Sequence, residues 1–199
     1  NGVISSDVDY HIPYIKEDKY LGLIPNPINI DKIKYKKIES IDKIKILHGI
    51  NSKNYIKKGN IFFDKALKVI ENKYQDKVEI IRTIDLEYIE YTKAVENCHI
   101  LLDQVYAYDQ GYNALEAMAI GKTVFTGAEK EWLELYHIQE NSVVINALPD
   151  HKKIIESLEW LINNPSKIIE ISANARVFIE KNHNYTSIAE QYEKVWSKN

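Results

Sequence analysis

The sequence predicts an α/β fold: a five-stranded parallel sheet wound in both directions, with helices on both faces. Two observations carry that expectation. Short apolar runs alternate with helical patterns from residue 44 to residue 145, the signature of strands joined by helical crossovers. With 199 residues, 45% of them apolar, the chain is also large enough to bury a core on each side of such a sheet.

The elements follow in order. Ile44 to His48 reads as the first strand, ending at Gly49, and residues 60–74 place Phe63, Ala66, Leu67, Ile70 and Tyr74 on one helical face. Val78 to Ile81 is the second strand and 87–97 the second helix; His99 to Leu102 is the third strand, followed by a helix at 113–120. Thr123 to Thr126 is the fourth strand, 129–136 a helix, and Val143 to Ile145 the fifth strand. The tail is helical: Asp150 is a cap for 151–163, Asn164-Pro165 opens the next helix, and Ser187-Ile188-Ala189-Glu190 reads as a capping box for the last. Before residue 44 the chain is mostly irregular, with prolines at 13, 25 and 27 and only a weak helical pattern from Asn29 or Asp31 to Lys37.

Composition excludes several classes. The net charge is −3, from 26 basic and 29 acidic residues with no basic block, so nucleic acid is not an expected partner. The single cysteine, Cys98, rules out an internal disulfide and suits a reducing compartment. No apolar run is long enough for a bilayer, and there is no signal-peptide pattern. The only methionine is Met118, so Asn1 is not a translation start, and a longer parent protein with a preceding domain is expected.

Right-handed crossovers favour the strand order 2-1-3-4-5, and ligands of such sheets bind beyond the carboxyl ends of the strands, where the winding reverses. That point lies between strands one and three, under the loops 48–58 and 103–113. The first loop carries Gly49, Asn51, Lys57 and Lys58; the second carries Tyr108 and Asp109 and runs into Gly111-Tyr112-Asn113-Ala114-Leu115-Glu116. A glycine-opened helix start offers free backbone N–H groups and the positive end of the helix dipole, which suits a diphosphate. Either lysine could neutralise such a group or simply be solvated. Glu116 has two readings: a ligand for a sugar diol, or the partner of Asn113 in a capping box. Gly121-Lys122-Thr123 ends like a phosphate-binding P-loop, but Glu116 stands where that motif needs glycine, and a strand follows rather than a helix.

Several matches together resemble the C-terminal, donor-binding domain of two-domain GT-B glycosyltransferases of the family 4 type, including bacterial surface-polysaccharide enzymes. They are Leu23-Ile24-Pro25-Asn26-Pro27, Ile46 to Asn51 with Lys58-Gly59, Leu102-Asp103-Gln104, Asn113 to Lys122, and His183-Asn184-Tyr185 through Tyr192 and Trp196. The resemblance spans about 20–199. It implies a Rossmann-like domain over 44–182, an interdomain linker and the edge of a missing N-terminal domain over 1–43, and a crossover helix over 183–199. It implies transfer of a sugar from a nucleoside diphosphate sugar to an acceptor hydroxyl, without cofactor or metal. Glu116 would hold the ribose, Lys58 and the amides from Gly111 to Ala114 the diphosphate, and Arg82, Thr83 and Ile84 the base. Tyr108 stands where the family usually has a second glutamate, with Asp109 one place away. Catalytic groups would lie mainly in the preceding domain, leaving this segment inactive alone. The whole enzyme is expected in the cytoplasm, with a peripheral membrane contact open to it.

A signalling receiver domain shares the same strand order. Asp103 would be its phosphoacceptor and Thr126 its hydroxyl, but the acidic residues expected after strand one and the lysine after strand five are replaced by His48-Gly49 and Asn146.

Overall fold

The computed structural model describes residues 2–198; Asn1 and Asn199, the outermost residues of the expected linker and crossover helix, lie outside the described residues. The chain opens with β1 (Val3–Ser5), α1 (Val8–Tyr14) and β2 (Tyr20–Leu23). β1 and β2 pair in parallel as a separate small sheet, so this region is more regular than the sequence predicts. Val3–Ser5 and Tyr20–Leu23 are each broken by a serine or a glycine, so neither shows the continuous apolar run that marks the main-sheet strands. Conversely, the weak helix near residues 29–37 is absent: Asn29 Oδ1 accepts from the Lys32 amide in a turn that goes no further.

The main sheet then assembles from β3 (Ile44–Ile50), α2 (Asn60–Lys73), β4 (Val78–Ile84), α3 (Tyr88–Asn97), β5 (Ile100–Leu102), α4 (Tyr112–Ile120), β6 (Thr123–Thr126), α5 (Lys130–Tyr136) and β7 (Ile145–Asn146). Its strands lie in the order β4-β3-β5-β6-β7, all parallel, which is the expected 2-1-3-4-5. The first two strands run further than their apolar cores suggest, to Ile50 and Ile84, and the last is displaced to Ile145–Asn146. α6 (His151–Asn163), α7 (Pro165–Asn182) and α8 (Tyr185–Trp196) complete the chain.

Pleat alternation divides the core. Ile44, Ile46, Ile100 and Leu102 join Phe63 and Leu67 of α2 and Leu158 of α6 on one face. Leu47 and Leu101 join Val95, Leu115, Met118, Trp132 and Phe178 on the other. Asp150 caps α6 as expected, accepting from the Lys152 amide. The expected capping box for the last helix is not formed: α8 starts earlier, at Tyr185, with Asn184 as its cap, because the Ile28 and His183 backbones pair just before it.

Three contacts fix α3 and α4, the helices that will wall the site. Lys122 is buried, and its ammonium donates to the carbonyls of Glu96 and Cys98, both at 2.8 Å, closing the end of α3. Burial holds its pKa below the ordinary lysine value. Arg176 on α7 donates to the carbonyl of Ala119 at 2.7 Å, near the end of α4. Gly121 ends α4 with φ +93°, a conformation that favours glycine. Thus Lys122, which in sequence imitates a phosphate-binding lysine, is a structural tie between helices. Lys122→Met is expected to leave two carbonyls unpaired and to lower unfolding stability by about 2 kcal/mol in urea denaturation.

Candidate functional site

The site is organised by Asp103, one residue past the end of β5 and only 2% exposed. Its Oδ1 accepts from Lys58 Nζ at 2.6 Å and from Asn113 Nδ2 at 2.7 Å, and its Oδ2 accepts from the Thr126 hydroxyl at 3.3 Å. A loop, a helix start and a strand end thus meet at one carboxylate. Lys58 arrives on the loop after β3, which makes a short 3-10 turn at Ser52–Asn54 capped by Asn51. Gly59 follows with φ +68°, and any Cβ there would overlap Val105. The Val105 amide in turn donates to the Lys58 carbonyl at 3.0 Å, stitching the two loops together.

Asn113 lies in the first turn of α4, whose N-cap is Gly111 without any side-chain cap. The first helical bond runs from the Leu115 amide to the Gly111 carbonyl at 3.0 Å, so a helix start of this kind leaves the Tyr112, Asn113 and Ala114 amides free. The Leu115 amide is therefore bonded within the helix, and the Leu115 side chain is fully buried. Gly111 has open space where a Cβ would stand.

Glu116 does not fold back onto its own backbone. The capping-box reading fails because Asn113 is committed to Asp103, and Glu116 Oε2 instead accepts from the Tyr88 hydroxyl at 3.2 Å. Partial burial pushes the Glu116 carboxyl upward, and the Tyr88 bond opposes that.

Two adjoining cavities, of about 320 and 420 Å³, lie around these groups, within the usual range for small-molecule sites. The first is lined by Gly49, Asn51, Lys58, Thr83 and Asp85, and the second by Lys32, Thr92 and Glu116 among others. Tyr88, Tyr91 and Asn113 line both and form the ridge between them. Tyr88 and Tyr91, three residues apart on α3, face Asn113 and Glu116, three apart on α4. Neither tyrosine stands out in the sequence; their matched spacing on two neighbouring helices is the signal available there.

Other expected residues lie elsewhere. Lys57 is exposed and lines neither cavity. Arg82 points to the other face of the sheet, where both guanidinium NH groups pair with Glu71 at 3.1 and 2.8 Å; Ile84 is exposed and outside both cavities. Of the expected base-side residues only Thr83 reaches the cleft, because alternate strand residues face opposite sides.

Tyr108 and Asp109 turn away towards α1. The Tyr108 amide donates to Asp9, and the Val8 amide donates to Asp109 at 2.8 Å. Asp7, Asp9 and Asp109 converge there, a cluster of carboxylates that the sequence did not suggest. Burial, aided by the neighbouring charges of Asp7 and Asp9 and opposed by the Val8 bond, pushes Asp109 up to about 7.

The receiver reading also fails on geometry. Asp103 is enclosed and both its oxygens are taken, leaving no room for a phosphoryl group.

A profile of the glycosyl transferase-like family matches residues 54–194, and the chain belongs to that family. No curated protein sequence matches the chain. Among solved structures, HepE from Anabaena in complex with UDP-glucose superposes with a TM-score of 0.72 at 13% identity, over 100% of this chain and 64% of that one. Sucrose-phosphate synthase from Thermosynechococcus elongatus gives 0.66 at 17%, over 98% and 57%. The C-terminal domain of a glycosyl transferase group 1 family protein from Francisella tularensis gives 0.55 at 17%, over 79% and 98%. The fold is therefore that of a GT-B C-terminal domain. The chain spans 57% and 64% of the two longer relatives.

The buried acid at the α1 contact has a pH consequence. Because the folded state raises the Asp109 pKa, it retains a proton that the unfolded chain loses near pH 4; its contribution to stability falls as pH rises from about 4 through 7. Asp109→Asn is therefore expected to raise the urea midpoint at pH 8 and to leave it nearly unchanged at pH 4.

Proposed function

We propose that the chain is the donor-binding half of a glycosyltransferase, holding a nucleoside diphosphate sugar in the two-part cleft. The observation that carries this is the opposition of two kinds of group across one continuous groove. Lys58 and the free amides of α4 stand at one end; Glu116, turned away from its backbone and into the second cavity, stands at the other. A nucleotide carries the matching pair, an anionic diphosphate and a ribose diol. The HepE structure with UDP-glucose supports the reading, since that protein shares the fold and holds such a donor.

In this arrangement Lys58 donates one of its three ammonium N–H bonds to Asp103, leaving two donors for the ligand. As the glycosidic bond to the leaving diphosphate breaks, negative charge grows on it. The Lys58 ammonium and the α4 amides, already fixed in place, stabilise that charge without reorganising. Thr83 and the backbone near Asp85 and Leu86 would border the base. The reading includes no metal or cofactor. Residues 1–43 are taken as the linker and the edge of a preceding domain, 44–182 as the donor domain and 183–199 as the crossover helix. The preceding domain would supply acceptor contacts. Surface polysaccharide assembly in the cytoplasm, with a peripheral membrane contact, rests on the sequence resemblance alone; among the described residues no helix is long and apolar enough to cross a membrane.

Calorimetric titration with UDP and GDP tests the proposal. One of the two is expected to bind saturably, and Glu116→Ala to weaken it at least tenfold, about 1.4 kcal/mol. The 199 residues alone are expected to transfer no sugar. Absence of saturable binding by either nucleotide, or equal affinity in the variant, would overturn it.

A further inference from the structure

The hydroxyl of Tyr91 is buried and has no hydrogen-bond partner. A buried phenol in that state has lost water without gaining a protein partner, so its place at a cavity wall calls for an explanation. Its position is well defined. Gly49 provides the seat for the ring, since a Cβ at that residue would overlap it. The Asn113 amide lies within reach of the hydroxyl and lowers its pKa, but its one hydrogen bond of good geometry goes to Asp103. The ring lines both cavities, on the ridge between the Lys58 end and the Glu116 end.

We propose that the Tyr91 hydroxyl is a ligand of the bound nucleotide, donating a hydrogen bond to the phosphate attached to the ribose. The inference rests on the donor-binding reading above and adds a residue to it. A diphosphate seated at Lys58 and a ribose seated at Glu116 leave the linking phosphate at the ridge, where Tyr91 stands. The chemistry is complementary: burial and the nearby Asp103 charge keep the phenol protonated, so it can only gain by donating to an anionic oxygen. Without ligand the hydroxyl is a latent donor; with ligand it is satisfied.

The two roles a buried tyrosine can have predict opposite changes on removal of its hydroxyl. A structural hydroxyl takes a hydrogen bond with it and destabilises the fold. An unpartnered one leaves stability unchanged or improved, because a desolvated polar group is lost with no bond broken. Tyr91→Phe should therefore keep or raise the melting temperature while weakening the nucleotide. The experiment titrates wild type and Tyr91→Phe with whichever of UDP and GDP binds, then with its monophosphate and its nucleoside. The expected result is a five- to tenfold loss for the diphosphate and the monophosphate, with equal affinity for the nucleoside. Unchanged affinity throughout overturns the inference while leaving the donor-binding reading intact. An equal loss for the nucleoside, or a melting temperature lowered by several degrees, also overturns it. If neither nucleotide binds wild type, the donor-binding reading falls and this inference falls with it.

Discussion

The cleft depends on one buried carboxylate. Asp103 draws a lysine from one loop, an asparagine from the first turn of α4 and a threonine from the end of β6 to a single point. These side-chain bonds add to the backbone ties that already join the segments, such as the Val105 amide on the Lys58 carbonyl. Removing one partner of a buried ion pair typically costs about 3–5 kcal/mol, because the remaining charge is stranded. The Lys58 loop and the start of α4 are thereby fixed relative to each other before any ligand arrives. Electrostatic stabilisation of a leaving group depends on this kind of advance placement. In a receiver domain an acid at the same strand end must stay open; here it is closed off and used as a fastener.

The second constraint is the pairing of α3 with α4. Lys122 reaches from just beyond α4 to the end of α3, and Arg176 reaches from α7 to the end of α4. These ties sit at the ends away from the cleft. They leave the N-terminal halves of both helices, with Tyr88, Tyr91, Asn113 and Glu116, to form the groove. Tyr88 at present gives its hydroxyl to Glu116, so a sugar diol would take over a bond that the protein makes to itself.

Much of this was legible in the sequence. Five apolar runs and their intervening helices yield the strand order, because right-handed crossovers leave few alternatives. The order then selects the crevice, and Lys58, Gly49, Asn51, Thr83, Asn113 and Glu116 do border it. What escaped has physical causes. Arg82 and Ile84 flank Thr83 on a strand whose side chains alternate, so a three-residue window could not all face the cleft. Tyr108 and Asp109 were judged by adjacency to the glycine turn, whereas long-range bonds to Val8 and Asp9 direct them to α1. Asp103 was seen as an acid at a strand end, but only tertiary structure shows three donors closing over it. Tyr88 and Tyr91 were hidden because aromatic residues on an amphipathic helix read as packing.

We propose that this cleft is a preformed seat for a nucleoside diphosphate. A crystal structure of the chain soaked with the nucleotide it binds tests that most directly. The diphosphate is expected between Lys58 and the Tyr112–Ala114 amides and the ribose on Glu116, with the Asp103 contacts unchanged. A nucleotide bound elsewhere on the molecule, or one seated only after Asp103 has released Lys58 and Asn113, would contradict it.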